Sequence, residues 1–505
     1  MRHLSRLFGK FPVWFSGMLG GVLCIILGLQ VLGQWHFKAL YQNLSLLSNP
    51  ALYPFVLAVL AGLMALSNRS NAAFATERHR QLWFLRLLFL AALGVQFIIA
   101  RCCWYKMGWD VANVYTTAEE LARGIPLSNP EYFQLCPNNA PLTVLHMIPL
   151  WVAVKLGLAV PFVVLPYIDA VLLNLSAYFC VRCVQRLTAN RVARLFALVV
   201  SIGWIAFSPY ILYPYTDTFG ILFTVLPLYL WLRVKNQPLK WFLAALLCSF
   251  GASLKPSVWI VLIALAILGV CGFIAEENKD AAVWKRALVL VCIIVLGILP
   301  GRIFQNESTR FLTGTSKPQA QLSTMHYLML GMNGETNGGH SVDDVAFSQS
   351  FETLEERQRA NLKRAWERFS GRSLLENVHF FAGKAFKAYA DGSFASHTSF
   401  LELEIPRRTD GLSTFLRSLY HRRGALMPWC QTLAQGLWLG VLTLCAYAAI
   451  RLRKNPAVAL LSLTLLGLTA YLLLLEVWPR YLFLYAPFFV ILASMAFEKP
   501  LCFKR

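Results

Sequence analysis

Apolar residues arrive along this chain in long blocks separated by short polar clusters. Each block runs for about 17–24 residues, enough to cross a ~30 Å hydrocarbon core at ~1.5 Å per residue. The pattern predicts spans near 13–33, 51–67, 82–100, 160–181, 193–211, 214–232, 239–254, 256–275, 287–303, 430–450, 456–475 and 480–497. Only two polar excursions are long, 101–159 and 302–427. The expected fold is therefore an all-α polytopic membrane protein of about twelve transmembrane helices.

One segment decides how the spans alternate. Residues 142–158 (LTVLHMIPLWVAVKLGL) are apolar but short, and they contain His146, Pro149 and Lys155. They read as an amphipathic helix lying in the membrane interface rather than crossing it. With that assignment, one set of connections holds 22 Lys and Arg residues, in clusters such as Arg2/Arg6/Lys10, Arg69/Arg78/Arg80, Arg182–Arg194, Lys279–Arg286, Arg451–Lys454 and Lys499/Lys504/Arg505. The short connections on the other side hold seven: Lys38, Arg101, Lys106, Arg123, Lys155, Lys255 and Arg480. Positive charge marks the cytoplasmic side, so both termini are expected inside and the two excursions outside. The first block carries no small-residue cleavage site and is expected to stay as a helix.

Composition agrees. Apolar residues make up 57% of the chain and charged ones 14%, against about 25% in soluble domains. The net charge of +21 is scattered between apolar blocks and forms no continuous basic groove, which argues against nucleic acid as a partner. Most of the twelve cysteines fall inside apolar blocks, where a small thiol simply packs, so no structural disulfide is expected.

The candidate chemistry gathers at the outer ends of spans. Asp110 follows the third span and precedes a helical pattern (Tyr115, Ala118, Leu121, Ala122) ending at Gly124. A carboxylate there can act as a general base, or it can simply cap the helix. Asp217 in SPYILYPYTDTF, Lys255 in FGASLKPSVW, and Glu476, Arg480 and Tyr481 in LLLLEVWPRYLFLYAP stand at further outer boundaries. Caps, an ion pair and headgroup contacts are their plainer roles. Asp169 lies about a third of the way into a span, where a carboxyl usually has a partner or a task.

The pattern W-D-x4-Y-x2-A-x2-L-x2-G after a span, then a Pro-rich turn and an interfacial helix, resembles the GT-C superfamily of membrane glycosyltransferases. That resemblance covers most of 82–497 and leaves two extra N-terminal helices in 1–81. It implies a catalytic membrane module over 82–303, an extracytoplasmic loop domain over 304–427 and C-terminal spans over 428–505. It further implies transfer of a sugar from a polyprenyl-phosphate carrier to a glycan, lipid or protein acceptor. Asp110 would be the catalytic base, with Asp217, Lys255, Arg480, Tyr481 and Glu476 binding substrate. The family often carries a paired acidic motif. Here Val111 and Ala112 follow Asp110, and one carboxylate is a poor divalent site, so a divalent metal stays open and no cofactor is expected with certainty. The resemblance points to a bacterial plasma membrane.

In the second excursion, MLGMNGETNGGHSVDD reads as a flexible substrate-contacting run, with Asp343 and Asp344 as acceptor or ion contacts or as a solvated turn. Helices are expected over 353–369, with an apolar stripe of Leu354, Leu362, Trp366 and Phe369, and over 375–390. Arg407, Arg408, Arg417, Arg422 and Arg423 offer contacts to lipid phosphates or a solvated face. No triad, HExxH, P-loop or dinucleotide fingerprint occurs. A lipid-sugar transporter and a polysaccharide polymerase or ligase share the topology and remain the alternatives.

Overall fold

The computed structural model describes residues 9–69, 79–275, 281–399, 402–405 and 410–498. Arg2, Arg6, Arg78, Lys279, Arg407, Arg408, Lys499, Lys504 and Arg505 lie outside the described residues, as does the side chain of Arg80. Among those described, nine helices are long and apolar enough to cross a membrane: Phe11–Val31, Asn49–Arg69, Gln81–Cys103, Pro161–Leu187, Arg191–Leu212, Pro256–Ala275, Val283–Thr313, Met427–Arg451 and Pro456–Leu474. The other three expected spans are shorter or interrupted. Residues 214–232 form Thr216–Gly220 and Leu222–Arg233, 239–254 form Gln237–Leu254, and 480–497 begin as a tight 3-10 turn, Pro479–Tyr485, before Ala486–Met495.

Hydrogen bonds between distant connections sort the helix ends onto two faces. On one, Asn190 Nδ2 donates to Ser67 Oγ (2.9 Å) and to the Phe497 carbonyl (2.8 Å), and Thr188 bonds Glu498. Turns here are short. Asn190, Asn236 and Asn455 each cap the next helix by accepting a backbone N–H, which ends one helix and starts another within a few residues. On the other face, Lys106–Met107 pairs antiparallel with Glu402–Glu404, His421 Nε2 lies 2.8 Å from the Cys103 carbonyl, and the Leu322 N–H donates to the Leu135 carbonyl. Both long excursions therefore share this loop face.

The helix Ala140–Lys155 begins and ends on the loop face. Asn139 before it accepts from Tyr215, and Phe162 after it packs on Trp104 and Tyr115. The segment holding 142–158 thus leaves and returns on one face of the helix bundle. Leaving the membrane is less abrupt than expected at residue 303, because one helix, Ala281–Thr313, carries on across that boundary.

The helix Leu374–Tyr389 departs furthest from expectation. It does not stay in the loop domain but enters the bundle from the loop face. Tyr389 Oη bonds Thr469 Oγ1 at 2.7 Å, five residues inside Pro456–Leu474, and its carbonyl accepts from Trp438 Nε1. The chain then turns back over a buried segment, Asp391–Ala395. A Cβ on Gly392 would lie 2.2 Å from the Ala434 carbonyl oxygen, so only glycine allows that approach. Phe394 and Ala395 hold positive φ (57° and 59°), and the Asp391 carboxylate locks the turn by accepting the Ser393 and Ala395 N–H and the Tyr41 hydroxyl.

Within the loop domain, helix Leu354–Ser370 forms as read, with a Thr353/Glu356 capping box. Its facing is reversed. Arg357, Asn361 and Ala365 are buried, whereas Leu362 and Trp366 are 50% and 64% exposed. Polar satisfaction outweighs apolar burial here: Arg357 donates to the Ser348, Gln319 and Phe351 carbonyls. Asp344 is likewise no solvated turn. It is buried and receives two bonds from Arg368 (2.7 and 2.9 Å) and one from Asn333 (2.8 Å).

Candidate functional site

Asp110 stands in the first turn of Trp109–Arg123, whose N-cap is Gly108. It does not cap the helix. Its carboxylate accepts from Tyr132 Oη at 2.8 Å and from Tyr215 Oη at 3.4 Å. Asn139 closes the ring by donating to the Tyr132 oxygen and accepting from Tyr215 at 3.0 Å. Burial, with the Asp110 charge beside it, pushes the Tyr132 phenol well above its ordinary range, so it keeps its proton and remains a donor. The helix N-terminus also favours a negative charge at this point. The preceding residue, Trp109, is 72% exposed and held at φ 60°, a strained conformation for a tryptophan.

The cations come from two proline turns. Lys255 ends Gln237–Leu254 in an extended conformation that Pro256 enforces, and Arg480 follows Pro479. Lys255 forms an ion pair with Asp217, and its ammonium sits 4.5 Å from the centre of the Tyr481 ring. Burial lowers the Lys255 pKa against the opposing pull of Asp217. Arg480 donates to Tyr213 Oη at 3.0 Å and lies over the same Tyr481 ring, whose hydroxyl donates to Glu476 at 3.1 Å. The two halves meet through Tyr213 and Tyr215, whose rings pack edge to face at 5.7 Å.

All six residues singled out from sequence are thus connected: Asp110, Asp217, Lys255, Glu476, Arg480 and Tyr481. Asp217 is fully buried, and its Oδ2 has no hydrogen-bond partner among the described residues. The loop domain docks beside them. Lys384 Nζ donates to the Gly331, Leu473 and Leu475 carbonyls, and the Val477 N–H donates to the Gly338 carbonyl. Tyr132, Asn139, Tyr213 and Tyr215 were not picked out from sequence. The pair Tyr213 and Tyr215 stands two residues apart in a quoted motif, but only the turn before Thr216–Gly220 aims both at the site.

Other candidates fall elsewhere. His146 is fully buried and packs edge to face on Phe219 at 4.9 Å; burial lowers its pKa to about 3, leaving a neutral packing residue. Asp169 is fully buried inside its span, with both carboxylate oxygens unpartnered among the described residues. Arg417 binds the Cys102 carbonyl at 3.0 Å and so joins the loop domain to a span. Among the described residues the cysteines are free, and no group of three or more His, Cys, Asp or Glu side chains is placed to hold a metal ion.

A family model described as conserved hypothetical integral membrane protein matches residues 42–501. The chain belongs to that family. It is an integral membrane protein, and the matched range contains every site residue from Asp110 to Tyr481. No curated protein and no solved structure matches it.

Proposed function

We propose that this integral membrane protein is a glycosyltransferase that moves a sugar from a polyprenyl-phosphate carrier to an acceptor hydroxyl, with inversion, at the outer face of a bacterial plasma membrane. The observation that carries the reading is the convergence of one half-buried carboxylate and two cations, from separate connections, on one face. Asp110 takes the proton of the acceptor hydroxyl, whose oxygen forms the new bond to the anomeric carbon. The bond from that carbon to the phosphate oxygen breaks on the opposite side, and its electron pair leaves with polyprenyl phosphate. Lys255 and Arg480 neutralise the growing charge on that leaving group. Tyr132 and Tyr215 hold the base in place, and Asp217 and Glu476 orient Lys255 and Tyr481. The basic bias of the opposite face supports the outward orientation.

The test is turnover by purified protein against a panel of polyprenyl-phosphate and polyprenyl-pyrophosphate sugars, following release of the lipid phosphate. Asp110→Asn should lower turnover by about a hundredfold or more. Undiminished turnover in that variant would remove Asp110 from the chemistry. Turnover confined to pyrophosphate donors would mark a polymerase or ligase. Failure with every donor would favour lipid-sugar transport, the reading that gives the unpartnered Asp169 a task.

A further inference from the structure

Beside the docked loop domain lies an open cavity of about 390 Å³, lined by Leu40, Asn337, Arg372, Glu376, His379 and Gly383 among others. It lies within the range of small-molecule sites, about 300–1,000 Å³. Two of its lining groups are unsatisfied donors. Asn337 is 8% exposed, and among the described residues its Nδ2 has no partner; Arg372 Nη1 is buried and has none among them either. Buried donors left without acceptors are uncommon, because each forfeits its hydration with nothing in return. Both groups are fixed rather than mobile. Arg372 is anchored by a bond to the Met332 carbonyl and stacks 3.9 Å from the centre of the Phe380 ring. Asn337 sits at φ 47° in a turn organised by Asn333, whose Oδ1 accepts the Glu335 N–H.

From these observations we infer that the cavity is a saccharide-binding site. Its two donors match the lone pairs of ring and hydroxyl oxygens, and Glu376, exposed at the rim, accepts from sugar hydroxyls. His379 and the neighbouring His36 pack edge to face at 5.0 Å and add aromatic surface. The cavity adjoins the candidate active site along the backbone, since Gly338, next to Asn337, accepts the N–H of Val477, next to Glu476. Under the glycosyltransferase reading, on which its role though not its occupancy rests, the cavity holds the acceptor glycan.

The experiment is calorimetric titration of the full-length protein with short oligomers of glucose, N-acetylglucosamine and galacturonate, with inorganic phosphate as a separate arm. At least one oligomer should bind. Asn337→Ala should weaken that binding about tenfold, the effect of losing one hydrogen-bond donor, and should lower thermal stability only slightly, since alanine holds φ 47° less readily than asparagine. Gly383→Val should abolish it, because a Cβ there already stands 3.1 Å from the Asn337 amide and 3.0 Å from Leu40. No binding by any oligomer, binding indifferent to Asn337→Ala, or binding of phosphate alone would overturn the inference. Absence of donor turnover by the wild type would sink the transferase reading without touching the saccharide site.

Discussion

Asp217 places its carboxyl where water does not reach, with Lys255 on one oxygen and no partner for the other among the described residues. Removing one partner of such a pair strands the other charge, which costs about 3–5 kcal/mol, while replacing both is far milder. Asp217→Asn and Lys255→Met should each lower stability in detergent by roughly 3 kcal/mol, and the double variant should recover most of that loss. Donor turnover should stay low in all three. A double variant that regains turnover along with stability would show the pair to be structural only. Sequence placed these residues at helix ends but could not pair them. Lys255 and Asp217 are 38 positions apart, and the proline turn that brings them together leaves no periodic signal. The tyrosines were harder still, because a phenol aimed at a carboxylate and one packed in a core look the same in sequence.

At the scale of elements, hydrophobic period located helices well and misjudged their faces. Leu354–Ser370 buries Arg357 and Asn361 and turns Leu362 and Trp366 outward, since a guanidinium reaching three carbonyls satisfies groups that leucine cannot. Leu374–Tyr389 reads as an ordinary amphipathic helix because its descent into the bundle depends on Gly392 and Asp391 beyond its end. The Asp344–Arg368 pair that closes the domain sets its acid behaviour. Burial raises the Asp344 pKa, but the bonds from Arg368 and Asn333 outweigh it and hold the carboxyl below its ordinary value near 3.8. The folded state therefore binds its proton later than the unfolded chain. The stabilisation is fully present above about pH 4 and is lost as pH falls through the lower folded value. Arg368→Gln should destabilise the domain by roughly 3 kcal/mol at neutral pH, and the gap from wild type should narrow as the medium is acidified below pH 4. Hydrogen exchange in peptides from 324–370 reads this directly; a gap that stays constant with pH would dissociate Asp344 from the acid response.

At the scale of the whole molecule, two faces were legible because two independent constraints agree: apolar blocks of membrane length, and basic residues concentrated in alternate connections. Interrupted segments such as 209–220 were not legible, because composition cannot register a bend that tertiary contacts impose. The bonds joining Tyr41 to Asp391, Lys106 to Glu404 and Asn190 to Phe497 fix which connections share a face, whereas charge alone assigns that face to a compartment. Labelling with a membrane-impermeant maleimide tests the assignment. Gly338 is a poor probe site, since its φ is 73° and a Cβ would lie 2.6 Å from the Lys384 side chain. Lys363 is a better one, being 79% exposed on the loop domain, and Lys454 reports the opposite face. Among the described residues, the exposed native thiols are Cys24 and Cys292, which lie within apolar helices that bilayer lipid would shield from the reagent. Lys363→Cys should react in intact cells and Lys454→Cys only after lysis. The reverse pattern would put Asp110, Lys255 and Arg480 on the cytoplasmic side, and a transferase working at the outer face would then be ruled out.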